Sequence, residues 1–240
     1  MRRGLGPRAQ GPGRDDRGAG ARGCARHLRV PAGARSSGAL IVVAAPISFY
    51  RASERPFGAF SNLFRREILI AGRTFATTEH AYQALKPRDA RVRDWLLAAP
   101  APSLLAIAAH TLPSESADPT EIMARTADAL LGFHTRPGWS RLRFPWMLRC
   151  LDAKFDQHPD LAELLLSTGD SAIIEAGRID DDAGRRWGIV NGRGSNYLGR
   201  MLQRVRHRLG GPCVEDPDLD ERLAAGAVPL AAALEELGWT

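Results

Sequence analysis

The sequence predicts a mainly α protein with small antiparallel β-hairpins, an α+β fold, and three observations carry that expectation. Apolar residues recur at helical intervals late in the chain, first at Leu142, Cys150, Leu151 and Phe155, then at Leu198, Met201, Leu202, Val205 and Leu209. Short extended pieces between Phe49 and Phe75 alternate with the turn residues Pro56, Gly58 and Gly72. Pro100, Pro102, Pro113 and Pro119 cut the middle of the chain into short helical segments.

The elements follow in order. Met1 to Gly38 is Gly, Arg, Ala and Pro with almost no aliphatic residues, too little apolar surface to offset the entropy of ordering, and is expected to be a disordered leader over 1–38. The β-branched run from Ala39 to Ala45 continues into Ile47-Ser48-Phe49-Tyr50 and reads as a first strand rather than a signal-peptide core. Arg65 to Phe75 reads as two strands around Ala71-Gly72. A short helix then runs through Glu79, capped by Thr77 or Thr78 and stopped by Pro87. Helices are expected at about Arg91–Ala99, Ser103–His110, Thr120–Phe133, Ser140–Gln157 and Pro159–Thr168, the last closed by Gly169. Ala172–Glu175 and Gly188–Val190 read as strands flanking an acidic loop. Asn191–Gly194 turns the chain into a helix from Tyr197 to Leu209. One folded domain over 39–210 is therefore followed by an acidic linker and a short helix at about Pro229–Leu237, within 211–240.

A chain of 240 residues is long enough for one domain with a sizeable core. Its formal charge of +6 and pI near 9.9 favour anionic partners, although much of the excess sits in the Arg-rich leader. Cys24, Cys150 and Cys213 are odd in number and scattered, so no disulfide framework is expected. The six histidines include no His-Glu-x-x-His, and neither metal nor cofactor is expected. No apolar run reaches the ~18 residues a membrane span needs, so no membrane partner and a cytoplasmic location are expected.

One stretch concentrates chemistry. In Thr77-Thr78-Glu79-His80-Ala81-Tyr82-Gln83-Ala84-Leu85-Lys86, helical spacing puts Glu79, Tyr82, Gln83 and Lys86 on one face. His80 falls about a hundred degrees around the axis and is expected to pack or cap. Upstream stand Gly58-Ala59-Phe60-Ser61-Asn62-Leu63-Phe64 and Gly72-Arg73-Thr74-Phe75. Downstream stand Leu151-Asp152-Ala153-Lys154-Phe155, Trp187-Gly188-Ile189 and Asn196-Tyr197-Leu198-Gly199-Arg200.

These blocks, in this order from about Ile47 to Leu209, resemble the NADAR family, the YbiA-like N-glycosidases. The resemblance implies a YbiA-like orthogonal helical bundle, with an insertion between about Ser114 and Leu130. It also implies hydrolysis of the C–N glycosidic bond in phosphorylated ribosylamino-pyrimidine intermediates of riboflavin biosynthesis. Two alternatives stay open: removal of ADP-ribose from a nucleobase in ADP-ribosylated DNA, which would suit the Arg-rich leader, and non-catalytic binding of ADP-ribose or a NAD derivative.

Cleaving such a bond passes through an oxocarbenium-like state, which needs a carboxylate to stabilise positive charge and orient water. Glu79 is the first candidate. Glu175 and the run Asp180-Asp181-Asp182 supply the second acid, and counting along the family pattern favours Asp180 with the choice among the three aspartates open. A planar base needs a flat partner, for which Trp139, Trp187, Phe49, Tyr50 and Tyr82 are available. Trp139, after Arg136-Pro137-Gly138, resembles a family step and is expected to wall the pocket, whereas Trp95 and Trp146 are expected in the core. Arg51, Lys86, Arg136 and Arg200 are candidate phosphate partners, beside the helix start at Ser195-Asn196. Gln83 completes the polar face, and Asn62 and Asn196 bind ribose hydroxyls or fix loops. Cys150 lies on an apolar helix face and is set aside as core.

Overall fold

A computed structural model describes residues 44–99, 101–103 and 135–239. The leader, the start of the first strand and the insertion lie outside the described residues, as do the two helices expected between Ser103 and Phe133.

Strand β1 (Ile47–Phe49) leads through a 3-10 turn at Phe57–Phe60 into the hairpin of β2 (Ile68–Ile70) and β3 (Arg73–Phe75). The hairpin is antiparallel, with Ile68 opposite Phe75 and Ile70 opposite Arg73. Its two central residues, Ala71 (φ 50°) and Gly72 (φ 73°), are both left-handed, the geometry whose twist matches that of paired strands. Helices α1 (Thr78–Ala84) and α2 (Ala90–Leu97) follow. Then come the long α3 (Trp139–Gln157), α4 (Pro159–Leu166), strand β4 (Ile173–Glu175), α5 (Asp182–Trp187), α6 (Tyr197–Arg208) and α7 (Pro217–Glu236).

Three features differ from the sequence expectation. Strand β4 lies in no antiparallel hairpin but runs parallel to β1, with Ile47 opposite Ile173 and Phe49 opposite Glu175, and at its end the Ile189 amide donates to the Glu175 carbonyl at 2.8 Å. The 188–190 segment makes only isolated bridges, Ala176 with Ile189 and Val190 with Arg193, because Asn191 and Gly192 turn it away at positive φ. The acidic loop is helical: the Asp181 side chain accepts from the Gly184 amide and caps α5. The C-terminal helix begins at Pro217, well before Pro229, with Asp216 capping it through the Leu219 amide. Cys150 is free and buried.

Helix α3 is the spine. Its Trp146 is fully buried, and the indole N–H lies 3.1 Å from the carbonyls of both Ala81 and Tyr82, which ties α3 to α1. Phe155, Leu151 and Cys150 extend the same face toward Phe60, Met201 and Leu202. Each fully buried Leu, Met or Phe contributes about 1.5–3 kcal/mol. On the other side α7 packs along α3, and a Cβ on Gly226 would stand 2.3 Å from the Arg141 carbonyl, so that crossing requires glycine. Trp239, just past α7, is buried against Phe75 and Trp146 and lies under the guanidinium groups of Arg73 and Arg93. Among the described residues no helix is long and apolar enough to cross a membrane.

Candidate active site

Helix α1 is short and every one of its residues is buried. Thr77 caps it, accepting from the His80 amide at 3.2 Å while its hydroxyl meets the His80 ring at 2.8 Å. His80 is thus spent on the cap, and burial lowers its pKa. The Glu79 amide donates to the Asn62 carbonyl at 3.0 Å, which fixes the first turn against the segment after the 3-10 turn. Gln83, one turn on, donates from Nε2 to Glu79 Oε1 at 2.8 Å. Burial raises the Glu79 pKa, while the Gln83 hydrogen bond and the Lys86 ammonium support its ionised form.

Glu175 stands at the end of β4 and feels the Glu79 charge. Burial first, then that neighbouring carboxylate, pushes its pKa up to about 8. Two neighbouring acids do not ionise together easily, so Glu175 keeps its proton at neutral pH. Asn196 sets this strand end: its side-chain amide accepts from the Glu175 N–H at 3.0 Å and donates to the Ile173 carbonyl at 2.8 Å, imitating a neighbouring strand. Gly199 lets α6 come that close, since a Cβ there would fall 2.0 Å from the Ile173 carbonyl.

Beside the acids lies an aromatic group centred on Tyr82. Its ring is 5.2 Å from that of Trp139 and 5.5 Å from that of Trp187, and Phe144 continues the group to Trp187 at 5.7 Å and to Tyr197 at 4.8 Å. Lys86 is lowered to about 8, mostly by burial, with Glu79 opposing and Arg143 and Arg186 adding to the fall.

The structure therefore brings together Glu79, Tyr82, Gln83, Lys86, Trp139 and Trp187, with Asn62 behind Glu79. It does not bring Asp180 there. Asp180 is exposed and paired with Arg185 at 2.6 Å, which lowers its pKa, so the second acid near Glu79 is Glu175. Arg136 is buried, but its guanidinium is tied to Glu236 at 2.9 Å and its amide to the Lys86 carbonyl at 2.7 Å. Arg200 is taken up by Asp216 and Asp218 and by the Tyr197 ring. Arg51 lies exposed on the turn after β1, and Tyr50 lies under the Arg178 guanidinium, 5.3 Å away. Phe49 is core, against Phe60. Burial raises the Cys150 thiol well above its ordinary value, in keeping with a packing role.

Sequence reasoning missed Arg143, Arg186 and Phe144. The first sits four residues after Trp139 on the same helix face and the second precedes Trp187, positions that gain meaning only once those indoles are known to meet. Thr78 Oγ1, Gln83 Oε1 and Asn62 Oδ1 are buried around Glu79 without a hydrogen-bond partner, which marks a place built for polar contacts with something else. Among the described residues no group of His, Cys, Asp and Glu could hold a metal ion.

The model of the NADAR domain matches residues 48–210. The chain belongs to the NADAR family. The NADAR region takes in Glu79 and Glu175, the aromatic group and Lys86, and stops before α7. The chain is 32% identical over 164 residues to N-glycosidase YbiA of Shigella flexneri serotype 5b, covering 68% of this chain and 88% of that one. It is 31% identical over 167 residues to N-glycosidase Npun_R5314 of Nostoc punctiforme, covering 68% and 92%. It is also 29% identical over 180 residues to the chloroplastic riboflavin biosynthesis protein PYRR of Zea mays, covering 73% of this chain and 27% of that one. The NMR structure of E. coli YbiA superposes with a TM-score of 0.55 at 28% identity, covering 70% of this NADAR chain and 87% of that one, so the α+β architecture is shared.

Proposed function

We propose that the protein is an N-glycosidase that hydrolyses the C–N bond of a phosphorylated ribosylamino-pyrimidine intermediate of riboflavin biosynthesis. The observation that carries this reading is the neighbouring pair Glu79 and Glu175, both pushed upward by burial, with Gln83 and Lys86 favouring charge on Glu79 and the Glu79 charge favouring a proton on Glu175, beside a cluster of aromatic rings. The names of the similar NADAR proteins support the reaction class and the pathway.

The chemistry follows from the electrostatics. Tyr82, Trp139 and Trp187 offer flat faces to a pyrimidine. As the C–N bond lengthens, positive charge spreads over C1 and the ring oxygen, and the Glu79 carboxylate stabilises it. Glu175 donates its proton to the departing nitrogen. Water adds to C1 and its proton passes to Glu79, from which it returns to Glu175 through solvent before the next turnover. Gln83 keeps the Glu79 carboxylate in one orientation throughout.

The test is Glu79→Gln, which keeps the shape of the side chain. The variant folds with an unchanged melting temperature, and kcat on the ribosylamino-pyrimidine phosphate falls about 10²–10⁴-fold. Full activity in that variant removes the assignment.

A further inference from the structure

Strand β4 carries Glu175 at its end and pairs with one strand, β1. Toward β1 it uses Ala172, whose carbonyl accepts from the Ile47 amide, and Ala176, whose amide donates to the Phe49 carbonyl, both at 2.8 Å. The alternate residues Ile173 and Glu175 turn backbone groups to the other edge, where no third strand stands among the described residues. One side chain answers both, because Asn196 donates to the Ile173 carbonyl at 2.8 Å and accepts from the Glu175 amide at 3.0 Å. Asn196 is the first residue of the α6 cap, a place where asparagine accepts from the amides of its own helix, yet its side chain makes no such bond. Its backbone is left-handed at φ 51° and ψ 39°, a conformation that asparagine tolerates and glycine adopts freely. Gly199 keeps the space above the Asn196 amide open, since a Cβ there would stand 2.6 Å from its Nδ2 and 2.7 Å from its Oδ1. Gly188 does the same on the side-chain side of Glu175, where a Cβ would stand 2.5 Å from the Glu175 carbonyl and 3.3 Å from its Cγ.

We propose that Asn196 is a positioning residue for the hydrolysis: its side-chain amide fixes the backbone at Glu175 and so sets the direction from which that acid reaches the departing nitrogen. This rests on the glycosidase reading and gives Asn196 a task other than contact with ribose, because both polar groups of its amide are engaged by β4. The amide supplies what a neighbouring strand would supply, at the one residue of β4 that carries chemistry. A displacement of about 1 Å at a reacting group can cost ~10²-fold in rate, and the loss falls on kcat because the groups that bind substrate stay in place.

The experiment uses the full chain as wild type, Asn196→Gly, Glu175→Gln and the double variant, with the ribosylamino-pyrimidine phosphate as substrate. Glycine keeps the left-handed backbone and serves as a helix cap, so Asn196→Gly removes the amide and leaves α6 in place. Asn196→Gly lowers kcat at least about tenfold and leaves KM within about threefold. Added to Glu175→Gln, it lowers kcat by less than about twofold more, because the acid it aims is already gone; a merely structural role makes the two losses multiply. Hydrogen exchange reads the same contact without turnover: the Glu175 amide exchanges at least about tenfold faster in Asn196→Gly, while the amides of α3 stay within about twofold. Wild-type kcat in Asn196→Gly, losses that multiply, or an unchanged Glu175 amide each overturn the positioning role, and with Glu175→Gln still impaired they leave the glycosidase reading standing. A wild type that does not hydrolyse the substrate removes that reading and this role with it.

Discussion

Lys154 is fully buried in α3, and its ammonium donates to the carbonyls of Ala59 at 2.6 Å and Ser61 at 3.1 Å, with the rings of Phe64 and Phe155 within 5.8 Å. Burial lowers its pKa from 10.5 to about 7. At ~1.4 kcal/mol per unit, that fall corresponds to roughly 5 kcal/mol against the charged form. Lys154→Met removes that cost but strands two buried carbonyls, at ~1–3 kcal/mol each. The two effects offset, and the variant is expected to unfold in urea within about 2 kcal/mol of the wild type at pH 7. Activity is not protected by that cancellation. The tethered turn leads into Asn62, whose carbonyl receives the Glu79 amide, and a small displacement of a reacting group can cost up to ~10²-fold, so kcat is expected to fall at least about tenfold. The pH dependence has a definite sign. Below pH 7 both folded and unfolded chains hold the proton and the penalty is complete; between pH 7 and 10.5 the unfolded chain holds more, so this lysine's contribution to stability rises with pH. The stability difference between wild type and Lys154→Met therefore shifts toward the wild type as pH rises from 7 to 10. A variant with wild-type kcat, or a difference that is flat in pH, refutes the tether.

The second acid can be assigned by comparing two variants. Glu175→Gln is expected to lower kcat about 10²–10⁴-fold, whereas Asp180→Asn, which disturbs only an exposed pair with Arg185, stays within about twofold; the opposite ranking restores Asp180. Because Glu175 keeps its proton up to about pH 8, wild-type kcat should fall above that pH, and a profile still rising at pH 9 contradicts a proton donor there. Trp239→Ala empties a buried ring site outside the NADAR match, a change worth about 3–5 kcal/mol. At ~2–4 °C per kcal/mol, calorimetry should show a melting temperature lower by about 6–20 °C, and a shift under about 3 °C removes Trp239 from the core.

What the sequence made legible was local. The Thr77 cap, the Ala71-Gly72 hairpin and the apolar stripes of α3 and α6 each depend on residues within one or two turns of each other. The polar face of α1 was equally plain, because Glu79, Tyr82, Gln83 and Lys86 need only helical spacing to align. The parallel pairing of β1 with β4 was not legible, since its partners are remote in sequence and three-residue strands carry little pattern. The aspartate run misled because charge density resembles a site, while Asp181 caps α5, Asp182 sits in its first turn and Asp180 answers Arg185. Glu175 stood beside the aspartates as a candidate second acid, and what sets it apart from them, a pKa raised by burial and by Glu79, is a product of tertiary packing. Pro229 looked like the start of a helix, yet α7 runs through it from Pro217.

The reach of α7 bears on how the protein is handled at the bench. Glu236, near the end of that helix, neutralises the buried Arg136, and the Arg136 amide in turn grips the carbonyl of Lys86. Trimming the chain at the family boundary would leave a guanidinium stranded in the interior next to the reaction chamber, and would strip the cover from Trp146. A shortened version that binds or cuts poorly would then report on the surgery, and assays comparing this protein with its shorter relatives should keep the C-terminal helix attached.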